Sequence, residues 1–186
     1  MSLLTHFRHR NIEYFEKKIV AVRHPLQATI SYFNEHWGNK ATGTHKYDQN
    51  GRLYLEYAPI EIFHNEKFAD KFPEFLQKWI DFHEDILKHC NPKNCVLIFY
   101  DHLKTDMPGQ MTKILKFLGD FEINDELKGC LMYNSKGNFK RRKRPKEEME
   151  KIYNLFSEDQ RAHFEEIYET YKQKLIDLFA NKKFEL

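Results

Sequence analysis

The sequence predicts an α/β domain built on a parallel sheet flanked by helices, and three observations carry that reading. Residues 18–31 (KIVAVRHPLQATIS) run from a short β-branched stretch (Ile19, Val20, Val22) through a bare Arg23 to Pro25, where a helix opens. A second apolar run, residues 95–100 (CVLIFY), is equally short and bounded by turn residues, as buried parallel strands are. Between and after these runs lie amphipathic segments long enough to cover a sheet. The order strand–helix–helix–strand–helix–helix makes the two strands parallel neighbours under helical cover.

Each element has its own signal. Residues 12–16 (IEYFE) lead into a first strand at about 18–23, and a helix follows from Pro25 to about His36. Residues 38–58, rich in Gly, Asn, Tyr and Lys, read as a long loop of the kind that carries function. Phe68, Phe72, Phe75, Leu76, Trp79, Ile80, His83, Leu87 and Cys90 recur at three- and four-residue steps, one face of a long helix. On that face His83 reads as a satisfied core histidine. Asn91 and Pro92 stop the helix. Tyr100 and Asp101 read as the end of the second strand and the cap of the next segment.

A helix over 108–118 turns Met111, Ile114, Leu115 and Leu118 inward, with Gly119 as its stop. A shorter one covers 124–132. Ser157 with Gln160 is a capping box, and it opens a final helix whose core face is Phe164, Ile167, Tyr168, Tyr171, Leu175 and Leu178. Two strands are few for a free-standing α/β domain, since typical sheets hold ~5–6.

Composition sets the class. The 186 residues suit a single domain over 1–186, and 31% charged with 15% aromatic residues marks a globular chain. Thirty basic residues nearly cancel 28 acidic ones, but between Lys136 and Lys146 seven of eleven residues are Lys or Arg with no acid among them. Three cysteines are too few for a disulfide scaffold. Cys90 and Cys95 flank the turn Asn-Pro-Lys-Asn and could pair in an oxidising compartment; the expectation is free thiols. No run approaches the ~18 apolar residues of a membrane span, and the first ten residues are too polar for a signal-peptide core. No Cys/His spacing suits zinc, so no metal is expected.

Ligands of open α/β sheets bind at the carboxyl ends of the strands. Arg23 stands at such an end, with Ser31 about two helical turns further on. Arginine presents a planar, permanently charged fork to phosphate oxygens, and a serine hydroxyl adds a donor of adjustable direction. Alone, Arg23 also reads as a strand-end arginine paired with a carboxylate, and Ser31 as a helix serine bonding back to a carbonyl.

The strand ending in Arg23, the following Pro25 and Ser31 resemble the 3′-phosphate signature of sulfotransferases that use 3′-phosphoadenosine 5′-phosphosulfate (PAPS). The chain looks most like the WSC-domain-containing group of membrane-anchored Golgi enzymes linked to carbohydrate sulfation. IEYFEKKIVAVR, the helix with Trp79 and His83 leading to Tyr100–Asp101, and Gly137-Asn138-Phe139-Lys140-Arg141-Arg142 carry that similarity, in order, over about residues 5–180. The resemblance implies a three-layer parallel sheet flanked by helices, of the P-loop sulfotransferase type. It implies PAPS as co-substrate, no metal, and sulfuryl transfer to a hydroxyl acceptor, most plausibly a glycan.

The same resemblance assigns roles. Arg23, Ser31, Phe139, Arg141 and Arg142 would bind the 3′-phosphonucleotide, and His6, in its Thr5-His6 context, would be the general base, with His9 as fallback. Lys143 stands where the family has glycine, and His24 where relatives more often have Asn or Asp. Family members begin with a strand, a Gly/Ser-rich loop and a helix that cradle the 5′-phosphosulfate. Only five residues precede His6 and no glycine precedes Gly38. The expectation is therefore an N-terminally truncated domain that lacks the main electrostatic stabiliser of transfer. Localisation would be the Golgi membrane for a longer anchored product and cytoplasmic otherwise. The alternatives are a non-catalytic remnant that binds a nucleotide or partner, and a basic nucleic-acid-binding module acting through residues 140–144.

Overall fold

A computed structural model describes residues 15–34, 46–47, 49, 53–54, 59–64, 66–119, 121–134 and 144–180. His6, Phe139, Arg141 and Arg142 lie outside these residues. The described elements form a mixed α/β structure in which helices dominate and a small parallel sheet sits at the centre.

β1 (Lys18–Val22) passes through Arg23 and His24 into α1 (Pro25–Phe33), with proline at the first helical position, where its missing N–H costs nothing. β1 pairs in parallel with β4 (Cys95–Phe99) in a register running from Lys18↔Cys95 to Val22↔Phe99. Lys18, Val20 and Val22 of β1 are buried while Ile19 and Ala21 are exposed. β4 is buried at four successive positions from Cys95 to Ile98. One face of the pair packs Val20, Val22, Cys95 and Leu97 against Trp79, Ile86, Cys90, Tyr168, Tyr171 and Leu175. The other face of β4 sets Val96 and Ile98 against Ile114, with Leu103, Met111 and Phe117 around them.

The long amphipathic helix is α2 (Glu66–His89), and the final one is α7 (Glu158–Ala180). A phenylalanine cluster joins α1, α2 and α7. The Phe72 ring lies 4.8 Å from Phe156 and 4.7 Å from Phe164, and Phe33 meets Phe68 edge-on at 4.6 Å. The capping box of α7 is formed by both bonds: Ser157 N–H donates to Gln160 Oε1 at 2.9 Å, and Gln160 N–H to Ser157 Oγ at 3.2 Å.

Several expectations are corrected. Residues 38–58 contain a short antiparallel pair, β2 (Lys46–Tyr47) with β3 (Leu53–Tyr54), and a 3-10 turn follows at Ile60–His64. The second strand stops at Phe99, and Tyr100 opens the short α3 (Tyr100–Thr105). Asp101 does not cap it; the N-cap residue is Phe99, without a side-chain cap bond. In α4 (Met107–Gly119) Ile114 is buried, but Leu118 is 39% exposed, because β4 is covered only along the Ile114 side of the helix. α5 (Asp125–Asn134) matches the shorter helix, whereas α6 (Lys146–Tyr153) was not anticipated.

Cys90 and Cys95 form a disulfide rather than free thiols. Asn91 Oδ1 accepts the N–H groups of Lys93 (2.8 Å) and Asn94 (3.3 Å), and Asn94 Oδ1 accepts Asn91 N–H at 2.8 Å. This paired asparagine turn folds the chain back sharply and leaves the two Cα atoms 5.5 Å apart, within disulfide reach.

Candidate anion site at the end of the parallel strands

The register ends at Val22↔Phe99, so Arg23 and Tyr100 leave the sheet side by side. Arg23 is pinned through its backbone, whose carbonyl accepts the Trp79 indole N–H at 3.0 Å. His24 is pinned through its side chain. Its Nε2 lies 3.1 Å from Glu165 Oε2 of α7, and its ring sits 5.0 Å from that of Tyr168. With the link between β1 and α1 held from both sides, the Arg23 guanidinium extends over the Tyr100 ring, 4.5 Å from its centroid.

The electrostatics of Arg23 are unusual for a strand-end arginine. Among the described residues it forms no ion pair, and its buried Nε donates to nothing. Burial lowers its pKa from the ordinary value, opposed by the charges of Tyr100, Tyr153 and Asp101. Among the described residues, then, Arg23 is not the carboxylate-paired strand-end arginine of the alternative reading. Asp101, whose charge acts on Arg23, is bound to Lys104 instead, Nζ to Oδ1 at 2.8 Å. That bond lowers the Asp101 pKa; burial opposes it, and the charges of Lys104, Arg23 and His24 add to it.

Ser31 is half-buried on α1, six residues after Pro25 and so about 9 Å along the helix axis. Among the described residues its hydroxyl makes no hydrogen bond. The neighbouring Thr29 shows what a back-bonded hydroxyl looks like here, donating to the Pro25 carbonyl at 2.9 Å. Three residues beyond Ser31, Asn34 Oδ1 accepts from Arg144 Nη2 at 3.1 Å, and Arg144 Nη1 bonds Glu148 Oε2 at 2.8 Å. Arg144 ends the basic run, and its side chain is only 4% exposed. This member of the run is thus structural, and it ties the chain to the far end of α1.

α6 begins just after Arg144 and ends at Tyr153, whose phenol is raised in pKa by burial and lowered by the charges of Arg23 and Lys104. The helix therefore runs from beside Asn34 back toward Arg23. Tyr100, Lys104 and Tyr153 are site residues that the sequence reading did not identify. One signal for Lys104 was present: Tyr100 and Lys104 are four apart, one helical turn. His83 is buried as expected, with Nδ1–H donating to the Trp79 carbonyl at 2.7 Å, yet its Nε2 has no partner among the described residues. Among the described residues no group of His, Cys, Asp and Glu is arranged to hold a metal ion, and no helix is long and apolar enough to cross a membrane.

The arrangement is a cationic edge at the carboxyl end of two parallel strands, suited to an anion. A WSCD family member of Aedes aegypti is 27% identical over 133 residues, which cover 70% of this chain. The chain spans only 37% of that relative's length. No solved structure matches it. The sulfotransferase domain matches residues 3–179, a span that takes in both strands, the Arg23–Tyr100 contact and all the described helices up to the last turn of α7, so the chain belongs to the sulfotransferase domain family.

Proposed function

We propose that this domain binds the 3′-phosphate of PAPS through Arg23 and Ser31 and serves transfer of the sulfuryl group to a carbohydrate hydroxyl. The observation that carries the reading is Arg23, a half-buried cation without a carboxylate partner among the described residues. Burying a charge without a counter-charge is unfavourable, and a phosphate offers both the charge and the acceptors for Nε and the guanidinium fork. Membership of the family implies sulfuryl transfer to a hydroxyl, and its members generally take the group from PAPS.

Phe139, Arg141 and Arg142 would close over the same phosphate. They precede Arg144 by two to five residues, and Arg144 is bound to Asn34, three residues from Ser31. His6 would take the acceptor proton as the hydroxyl oxygen bonds sulfur and the sulfur–oxygen bond to the donor's phosphate breaks. The residues assigned here account for the 3′-phosphate end of the donor. A carbohydrate acceptor rests on the resemblance to the WSC-domain-containing group. The Cys90–Cys95 disulfide suits an oxidising lumen such as the Golgi. The burial of β4 on both faces supports a three-layer, P-loop-type arrangement.

Calorimetric titration with adenosine 3′,5′-bisphosphate tests the reading. Two charge-assisted hydrogen bonds at ~1.5–3 kcal/mol each put the loss on Arg23→Ala at roughly 100-fold or more. Full affinity in the variant would place the nucleotide elsewhere. Broad, salt-sensitive binding of nucleic acid that ignores Arg23 would move the function to the basic run.

A further inference from the structure

Two cations converge on one aromatic ring at this site. Lys104 Nζ lies 4.6 Å from the Tyr100 centroid and the Arg23 guanidinium carbon 4.5 Å from it. The two charges are therefore within about 9 Å of each other, close enough to repel measurably near a protein surface. One carboxylate, Asp101, is bound to Lys104 and also feels the charge of Arg23. Among the described residues the two cations at the ring face this one carboxylate, while His24 has its own acid in Glu165. Tyr153, on another helix, feels both Arg23 and Lys104.

The two cations differ in freedom. Arg23 is fixed by burial, its pinned backbone and the ring. The Lys104 and Asp101 side chains are 51% and 55% exposed, so water screens their pair and the lysine stem can re-aim at small cost. A phosphate monoester carries nearly two negative charges at pH 7, of which one arginine offsets one.

We propose that Lys104 is the second cation of the anion site, moving from Asp101 to a phosphate monoester held by Arg23 and so selecting a dianion over a bare ribose hydroxyl. The inference rests on the reading that Arg23 holds the 3′-phosphate. Lys104 is a specificity-determining residue here. Tyr100 sets its starting position, and Asp101 holds it until the phosphate arrives.

The test compares adenosine 3′,5′-bisphosphate with adenosine 5′-phosphate by calorimetry in the wild type, Lys104→Met, Lys104→Arg and Arg23→Ala. Lys104→Met keeps the stem and the exposed position. It should weaken bisphosphate binding about tenfold, leave 5′-phosphate binding unchanged, and reduce the salt dependence of bisphosphate binding by about one ion. Lys104→Arg should restore the preference. An unchanged preference in Lys104→Met, with preference lost in Arg23→Ala, would overturn this inference and leave the phosphate reading standing. A preference unchanged in both variants, or absent from the wild type, would overturn both.

Discussion

Replacing His83 with glutamine should flatten the acid side of the stability curve. His83 is 2% exposed, stacked 3.7 Å from the Trp79 ring, with Phe82 at 5.3 Å and Tyr171 at 6.0 Å. Its Nδ1–H has the Trp79 carbonyl, but among the described residues Nε2 faces no partner, so a second proton would enter an apolar setting. Burial accordingly pushes its pKa from 6.5 down to about 4, against the pull of the Trp79 carbonyl. The unfolded chain takes up a proton near pH 6.5 that the folded chain refuses until about pH 4. Stability is thus full above 6.5 and falls through that window, at up to about 1.4 kcal/mol per pH unit.

Between pH 7.5 and 5 the loss from this one group is about 2 kcal/mol. Urea unfolding at the two pH values reads it directly. The wild type should lose about 2 kcal/mol more than His83→Gln, whatever the substitution does to absolute stability. Equal losses would refute the account of His83 as a neutral buried imidazole.

Two further outcomes follow from the packing. Arg144→Met removes the bonds to Glu148 and Asn34 and should cost about 2–3 kcal/mol, seen as a fall of roughly 5–10 °C in melting temperature. An unchanged melting temperature would mean that the basic run is not anchored at α1. Cys90→Ala with Cys95→Ala opens a loop of sequence separation 5 and should cost about 2 kcal/mol by chain entropy. Non-reducing mass analysis of the wild type checks the bond itself, and a mass with all thiols free would refute it.

What could be read from the chain divides along physical lines. The two parallel strands are bounded apolar runs, and the capping box is a local signal four residues long; both appear where expected. α6 is eight residues with only Met149, Ile152 and Tyr153 apolar, too short for a helical period to stand out. β2 and β3 have two residues each, too few to show alternation. The disulfide depends on the reciprocal Asn91–Asn94 turn, whose geometry no spacing rule contains.

In the site, Arg23 was legible because a strand end followed by Pro25 is a local pattern. The Arg23–Tyr100 contact was not, because it exists only through the register of β1 on β4. Lys104 followed Tyr100 out of view, and Tyr153 belongs to the helix that was missed.

That register also bears on how the protein acquires its site in time. Lys18 and Cys95 are paired across 77 positions, so the sheet cannot close until a long intervening chain has been drawn in. Local helices such as α2 and α7 can form within microseconds, but a parallel pair of this span belongs to the slower class of folding events. Arg23 and Tyr100 meet only at the far end of that closure. A bound nucleotide would then act as a latch on the finished sheet, slowing its opening while doing little to speed its formation.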